Sequence, residues 1–236
     1  MNIAIIGYGR MGHEIEKIAQ SKGINVASVI DPNKNNAIHK DINEQSMRNV
    51  DVCIDFTKPN AVINNIQKIA KFRKNIVVGT TGWHDGLAEA QKIVKQSKIG
   101  FIYASNFSIG VNIFFKIIED AAKIINKVED YDIYGYELHH SKKIDSPSGT
   151  AKTISDILTK NIQRKKELNF ASVRVGFIPG THVVGFDSSA DTIELKHTAR
   201  NREGFALGAI MAAQWINGKK GFYNVNDMVE SILGVK

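Results

Sequence analysis

Apolar residues in the first hundred positions fall into short unbroken runs, separated by stretches in which they recur every three or four residues. The runs within Met1–Ile6, Asn25–Ile30, Val50–Phe56, Asn75–Val78 and Ile99–Ala104 have the length and β-branched content of buried strands. Between them the spacing predicts helices beginning after Gly12 (Ile15, Ile18, Ala19), over Asn60–Phe72 and over His84–Gln96. Such alternation implies a parallel sheet with helices on both faces. Ile113, Phe114, Ile117, Ile118, Ala121, Ile124 and Ile125 then predict a long connecting helix. From Tyr131 the order changes to strands near 131–139, 170–178, 182–187 and 191–198, with one helix after Gly149. Helices around Phe205–Trp215 and Asp227–Leu233 close the chain.

Chemistry enters at the first strand end, where Gly7-Tyr8-Gly9-Arg10-Met11-Gly12 forms G-x-G-x-x-G between a strand and a helix. Gly7 permits the tight turn, Gly9 lets backbone approach a pyrophosphate, and Gly12 lets helix and strand pack closely. Asp31 ends the second strand, where a carboxylate accepts hydrogen bonds from the adenosine ribose. That carboxylate repels a 2′-phosphate, whereas Lys34 offers one flexible positive charge, so NADH is expected at least as readily as NADPH, with dual use favoured. Two later strand ends, Gly79-Thr80-Thr81-Gly82 and Ala104-Ser105-Asn106-Phe107, are expected to face the nicotinamide half.

The segment Glu137–Ala151 begins as a strand and ends as a helix. His139, His140, Lys142 and Lys143 precede Ser148, Gly149 and Thr150, where a new helix exposes its first N–H groups. Those groups and the helix dipole suit a carboxylate, and the histidines and lysines suit proton donation near neutral pH. Taken as a pattern alone, the segment also fits a basic loop with a capped helix and no catalytic role.

The stretch E-x-H-H-x-x-K-x-D-x-P-S-G-T-A, with Gly79–Gly82 and Asn106–Asn112 in the same order, resembles the 4-hydroxy-tetrahydrodipicolinate (dihydrodipicolinate) reductase family. The resemblance spans nearly the whole chain. It implies a Rossmann-type doubly wound sheet over 1–106 and 208–236, and a smaller α+β substrate and oligomerisation domain with an open mixed sheet over 107–207. The implied activity is NAD(P)H-dependent reduction of 4-hydroxy-2,3,4,5-tetrahydrodipicolinate, with loss of water, in L-lysine biosynthesis by the diaminopimelate route. His139 and Lys143 match the family's proton-donor positions, His140 its substrate contact, and Gly149 with Thr150 its carboxylate cradle. Arg202 matches an A-x-x-R-x-x-F segment and is a candidate partner for a substrate carboxylate, or equally for a loop or subunit contact. A homotetramer is also implied. One departure is Thr181, where many relatives carry an acidic residue.

Composition narrows the rest. The 236 residues, 43% hydrophobic, suffice for a sizeable core, and no apolar run reaches the ~20 residues of a membrane span. With no leader pattern, the chain is expected in the cytoplasm. The single cysteine, Cys53, is expected in the core, and His197 as a partly buried, satisfied histidine on a strand face. A net charge of +7 is spread along the chain without a basic, aromatic-interleaved tract, so no nucleic-acid partner is expected; steering of an anionic substrate, or simple solubility, explains it as well. No metal is expected, because the histidines show no acidic or cysteine companions. The rival reading is a non-catalytic NAD-sensing module.

Overall fold

The computed structural model describes residues 1–164 and 167–234. In chain order the elements are β1 (Asn2–Ile6), α1 (Arg10–Ser21), β2 (Asn25–Ile30), β3 (Val52–Asp55), α2 (Val62–Lys71), β4 (Asn75–Val78), α3 (Leu87–Ser97) and β5 (Gly100–Tyr103). They continue with α4 (Ile109–Ile125), β6 (Asp132–His139), α5 (Gly149–Asn161), β7 (Ala171–Arg174), β8 (Thr181–Asp187) and β9 (Thr192–Thr198). The last are α6 (Glu203–Ile216), β10 (Gly221–Asn224) and α7 (Val225–Leu233). Two compact units result, Met1–Ile109 with Glu203–Lys236, and Gly110–Arg202.

The first unit is a parallel six-stranded sheet in the order β10-β5-β4-β3-β1-β2. Successive side chains leave a strand on opposite faces, so each apolar run feeds two cores. Ile3 and Ile5 of β1, Ile54 of β3 and Ile102 of β5 pack with Ile15 of α1 and Ile210 of α6. Ala4, Ile6, Cys53 and Ile76 face the other way, onto Ile66 of α2 and Val94 of α3. Cys53 is wholly buried, as expected of a core residue. The strand order reverses on either side of β1, which opens a crevice beyond the carboxyl ends of β1 and β3.

The sequence pattern missed β10. It follows Lys219-Lys220, is four residues long with all of them half-buried, and pairs in parallel with β5 as the edge of the sheet. An edge strand that short carries no alternation to detect.

The second unit is a mixed four-stranded sheet, β7-β6-β8-β9, in which only the β6–β7 pair is parallel. Phe114, Ile118 and Ile125 of α4 and Ile154 and Leu158 of α5 bury themselves against Ile133, Val184 and Phe186 of the sheet. Along β6, Ile133, Gly135, Glu137 and His139 are the buried alternate positions. The strand expected over 170–178 is shorter: it ends at Arg174, and Gly176 turns the chain with φ +54°. No helix among the described residues is long and apolar enough to cross a membrane.

Candidate active site

The glycine loop shows three different uses of a missing side chain. At Gly7, with φ +88°, an added Cβ would lie 2.4 Å from the Phe56 carbonyl oxygen; at Gly12 it would lie 2.4 Å from the Gly7 carbonyl oxygen. Gly9 has nothing within 4 Å, so its open side leaves room for a ligand over the α1 N-terminus, where no side-chain cap is present. Arg10 is exposed and Met11 half-buried beside it, whereas the Tyr8 ring is buried, stacked on His13 at 4.0 Å and hydrogen-bonded through its hydroxyl to Glu16. That bond, with burial and the Glu16 charge, pushes the Tyr8 hydroxyl up to about 12.

Asp31 closes this loop, accepting the Tyr8 N–H at 2.8 Å and the Asn33 N–H at 2.8 Å. A carboxylate has about four lone-pair sites, so two remain for ribose hydroxyls. A cleft of about 790 Å³ gathers Gly7, Gly9, Asp31 and Lys34, and with them Lys40, Lys58 and Lys68. Lys68 is paired with Asp41 at 2.7 Å, and Lys40 donates to the Lys34 carbonyl. Sequence spacing gave only Lys34 a role here, because the other lysines reach the cleft through folding. A second cavity, about 570 Å³, lies at the amino ends of the strands, away from the crevice, beside Asn75, Lys98 and Lys220.

Gly79–Thr81 and Ala104–Phe107 sit at the carboxyl ends of β4 and β5 and do not line that cleft. Thr80 is buried, its hydroxyl donating to Asp55 at 3.2 Å and accepting the Thr57 N–H at 2.8 Å. Thr81 and Ser105 are exposed, Ala104 is held by the Val78 carbonyl, the Asn106 side chain accepts the Ser108 N–H at 2.8 Å, and Phe107 is core.

In the second unit Ser148 caps α5, its hydroxyl accepting the Ala151 N–H at 3.2 Å. Gly149 is exposed with nothing within 4 Å of an added Cβ, and Thr150 is half-buried. Lys143 is paired with Asp145 at 2.7 Å; the Lys143 partner is the main cause holding the Asp145 carboxyl below its usual range. His139 is buried and His140 half-buried at the end of β6.

The residue that the sequence pattern passed over is Glu137. It is fully buried and its Oε1 accepts from Ser148 N (2.9 Å), Ser172 Oγ (2.8 Å) and Arg174 Nη2 (2.7 Å). Burial pushes its carboxyl up, but those donors outweigh burial and bring it down to about 2. Its Oε2 lies 3.4 Å from His139 Nδ1 and 3.3 Å from His182 Nε2. Ligand atoms of Glu137, His139 and His182 lie within 4.8 Å of one another, so the histidines do have an acidic companion and that ground for expecting no metal falls away. Arg174 already neutralises the carboxylate, which leaves the trio less negative charge to hold a cation and suits it to handling a proton. The signal was present in the sequence, since an acid two residues before His139 shares its buried strand face.

One other expectation meets a mixed outcome. His197 is half-buried against Phe114, with ring centroids 5.7 Å apart, yet its Nδ1 has no hydrogen-bond partner among the described residues, which departs from the satisfied histidine expected. Arg202 is exposed in the bend before α6, and Thr181 is buried with its hydroxyl donating to that of Thr198 at 3.3 Å.

Comparison with known proteins covers both units. Residues 1–107 match the family model for the dihydrodipicolinate reductase N-terminus and residues 110–229 that for its C-terminus. A 4-hydroxy-tetrahydrodipicolinate reductase of Christiangramia forsetii is 40% identical, over 98% of this chain and 99% of its own length. The Buchnera aphidicola (Schizaphis graminum) protein of the same name is 39% identical over 91% of this chain and 82% of its own. A solved dipicolinate-bound dihydrodipicolinate reductase from Paenisporosarcina sp. TG-14 shares the fold, with TM-score 0.81 and 23% identity over 97% of this chain and 99% of that one.

Proposed function

Because this chain belongs to the dihydrodipicolinate reductase family, NAD(P)H-dependent oxidoreductases of lysine and diaminopimelate biosynthesis, we propose the following division of labour among its own residues. The α1 N-terminus over Gly9 receives the cofactor pyrophosphate, and Asp31 accepts the adenosine ribose hydroxyls. The open Gly9 and the two unused lone-pair sites of Asp31 support this fit. When bound, the nicotinamide supplies a hydride. Gly79, Thr80, Thr81 and Ala104–Phe107 border its ring.

The Gly149–Thr150 turn and His140 hold a carboxylate of 4-hydroxy-2,3,4,5-tetrahydrodipicolinate. The relative from Paenisporosarcina was solved with dipicolinate, which supports a planar dicarboxylate as the class of ligand. Lys143, paired with Asp145, and His139 supply the proton that quenches the electron density left by hydride delivery. The observation that carries this reading is the joining, on one segment, of proton donors at a strand end to a helix N-terminus open at Gly149.

Asp31 favours NADH, while Lys34, Lys40 and Lys58 around the same cleft support use of NADPH as well. A cytoplasmic homotetramer completes the proposal, supported by exposed Val173, Val175, Phe177 and Ile193 on the second unit. The test is oxidation of NADH and NADPH with freshly made product of dihydrodipicolinate synthase. Folded protein that oxidises neither cofactor refutes the reading.

A further inference from the structure

Glu137 Oε2 is buried with no hydrogen-bond partner among the described residues, while Oε1 of the same carboxylate accepts three bonds. Two imidazole nitrogens approach that bare oxygen from rings that meet edge-on, 5.1 Å and 74° apart. A nitrogen lone pair turned toward an ionised oxygen at 3.3–3.4 Å is repelled, whereas an N–H is attracted. His139 Nδ1 is likewise buried without a hydrogen bond among the described residues, so the charge of Glu137 Oε2 at 3.4 Å is what acts on its proton. His182 Nε2 faces the same oxygen and also lies 3.1 Å from Ser148 Oγ, the cap of α5.

We propose that Glu137, assisted by His182, is a positioning residue that holds neutral His139 as the Nδ1–H tautomer. His139 Nε2 is then the atom that takes up a proton from solvent and passes it to the reduced substrate. The Nε2–H bond breaks as the substrate gains its proton, and the transient imidazolium is balanced by Glu137. The reaction step rests on the reductase reading above; the tautomer assignment does not. Because Glu137 Oε1 also holds the Ser148 N–H, one carboxylate links the proton donor to the carboxylate cradle.

The charged and titratable groups facing His139 come from four places: Glu137 on β6, Lys143 and Asp145 on the following loop, Arg174 on β7 and His182 on β8. Burial pushes His139 down, Glu137 pulls it up, Lys143 and Arg174 push it down, and Asp145 pulls it up. His182, depressed by burial to about 4 and faced by His197 from β9, is neutral at pH 7. Removing the Glu137 charge therefore lowers the pH at which His139 accepts its second proton.

Long-range ¹⁵N–¹H correlation spectra of the wild-type protein at pH 7, with His139 assigned by its loss in His139→Gln, read the tautomer directly. The expected pattern is protonated Nδ1 and bare Nε2; an Nε2–H signature overturns the proposal without touching the reductase reading. In Glu137→Gln, kcat at pH 8 is expected to fall about tenfold against wild type, with KM within about threefold. A pH profile superimposable on wild type overturns it. So does activity that a chelator abolishes and Zn²⁺ restores, since the trio would then be a metal centre.

Discussion

Each unit buries one carboxylate completely, and the two have opposite electrostatics. Asp55, at the end of β3, is held by neutral donors: Thr57 N at 3.0 Å, Thr57 Oγ1 at 2.7 Å and Asn65 Nδ2 at 2.8 Å. Burial dominates and its carboxyl is pushed up. Glu137 suffers the same desolvation, but Arg174 and the Ser148 and Ser172 donors bring it down to about 2. The lesson is that burial alone does not set a carboxyl's state; the donors around it decide, and at Glu137 Ser148 leads, followed by Arg174. Asp55 ties the β3 and β4 loops together through Thr57 and Thr80, while Glu137 keeps a charge aimed at two imidazoles.

The sharpest way to break this contrast is turnover. Lys143→Ala is expected to lower kcat by a factor on the order of 10²–10⁴ with cofactor affinity unchanged. Asp55→Asn keeps the shape of its site, and its turnover should stay within about threefold of wild type. Equal losses in the two variants would erase the distinction between a proton-handling site and a structural one.

Stability comes next. Arg174→Leu strands a buried anion and should cost about 3–5 kcal/mol by urea denaturation at pH 7, whereas Asp55→Asn should move stability by no more than about 1 kcal/mol.

The acid limb sharpens the same point. Glu137 titrates near 4.5 when unfolded and near 2 when folded, so between those values the unfolded chain binds more protons. Its contribution, about 3 kcal/mol, is complete above pH 4.5 and lost as pH falls toward 2. Asp55, raised on folding, runs the other way and favours the folded state at low pH. Glu137→Gln should flatten the acid-side loss in denaturation curves; an unchanged curve would mean Glu137 is not held ionised below its usual range in the folded protein.

The smallest effect lies in the cofactor half. Lys34→Ala should weaken NADPH by less than about tenfold, under 1.4 kcal/mol, because Lys40 and Lys58 share the cleft. Asp31→Ala should weaken NADH more than NADPH. Fluorescence titration with both nucleotides checks the pair, and a wild-type preference for NADPH of tenfold or more would sink the repulsion argument.

Much of this was legible in the chain because local patterns sufficed. Gly7, Gly9 and Gly12 announce a strand-turn-helix whose three demands on backbone space the structure shows one by one. Ser148 before an amphipathic run announces the α5 cap. Glu137 stayed hidden because its meaning depends on Arg174, 37 residues on, and His182, 45 residues on. Lys40 and Lys68 were hidden likewise, since no spacing rule reports that a loop and a helix line one cleft. β10 escaped for the opposite reason, being too short for any pattern.

That edge strand has a consequence in time. Its Gly221–Asn224 pairs with β5, and α6 supplies Ile210 and Ala213 to a core begun by β1. The first unit thus begins ahead of the second in the chain and cannot complete its sheet until the second has been made. Between Ile109 and Glu203 lie the 93 residues of the other unit, roughly 5–20 s of synthesis at about 5–20 residues/s. During that interval β5 is an open edge with the sheet's sixth strand still unmade, so the order of translation, as much as the final contacts, sets how long that edge goes unguarded.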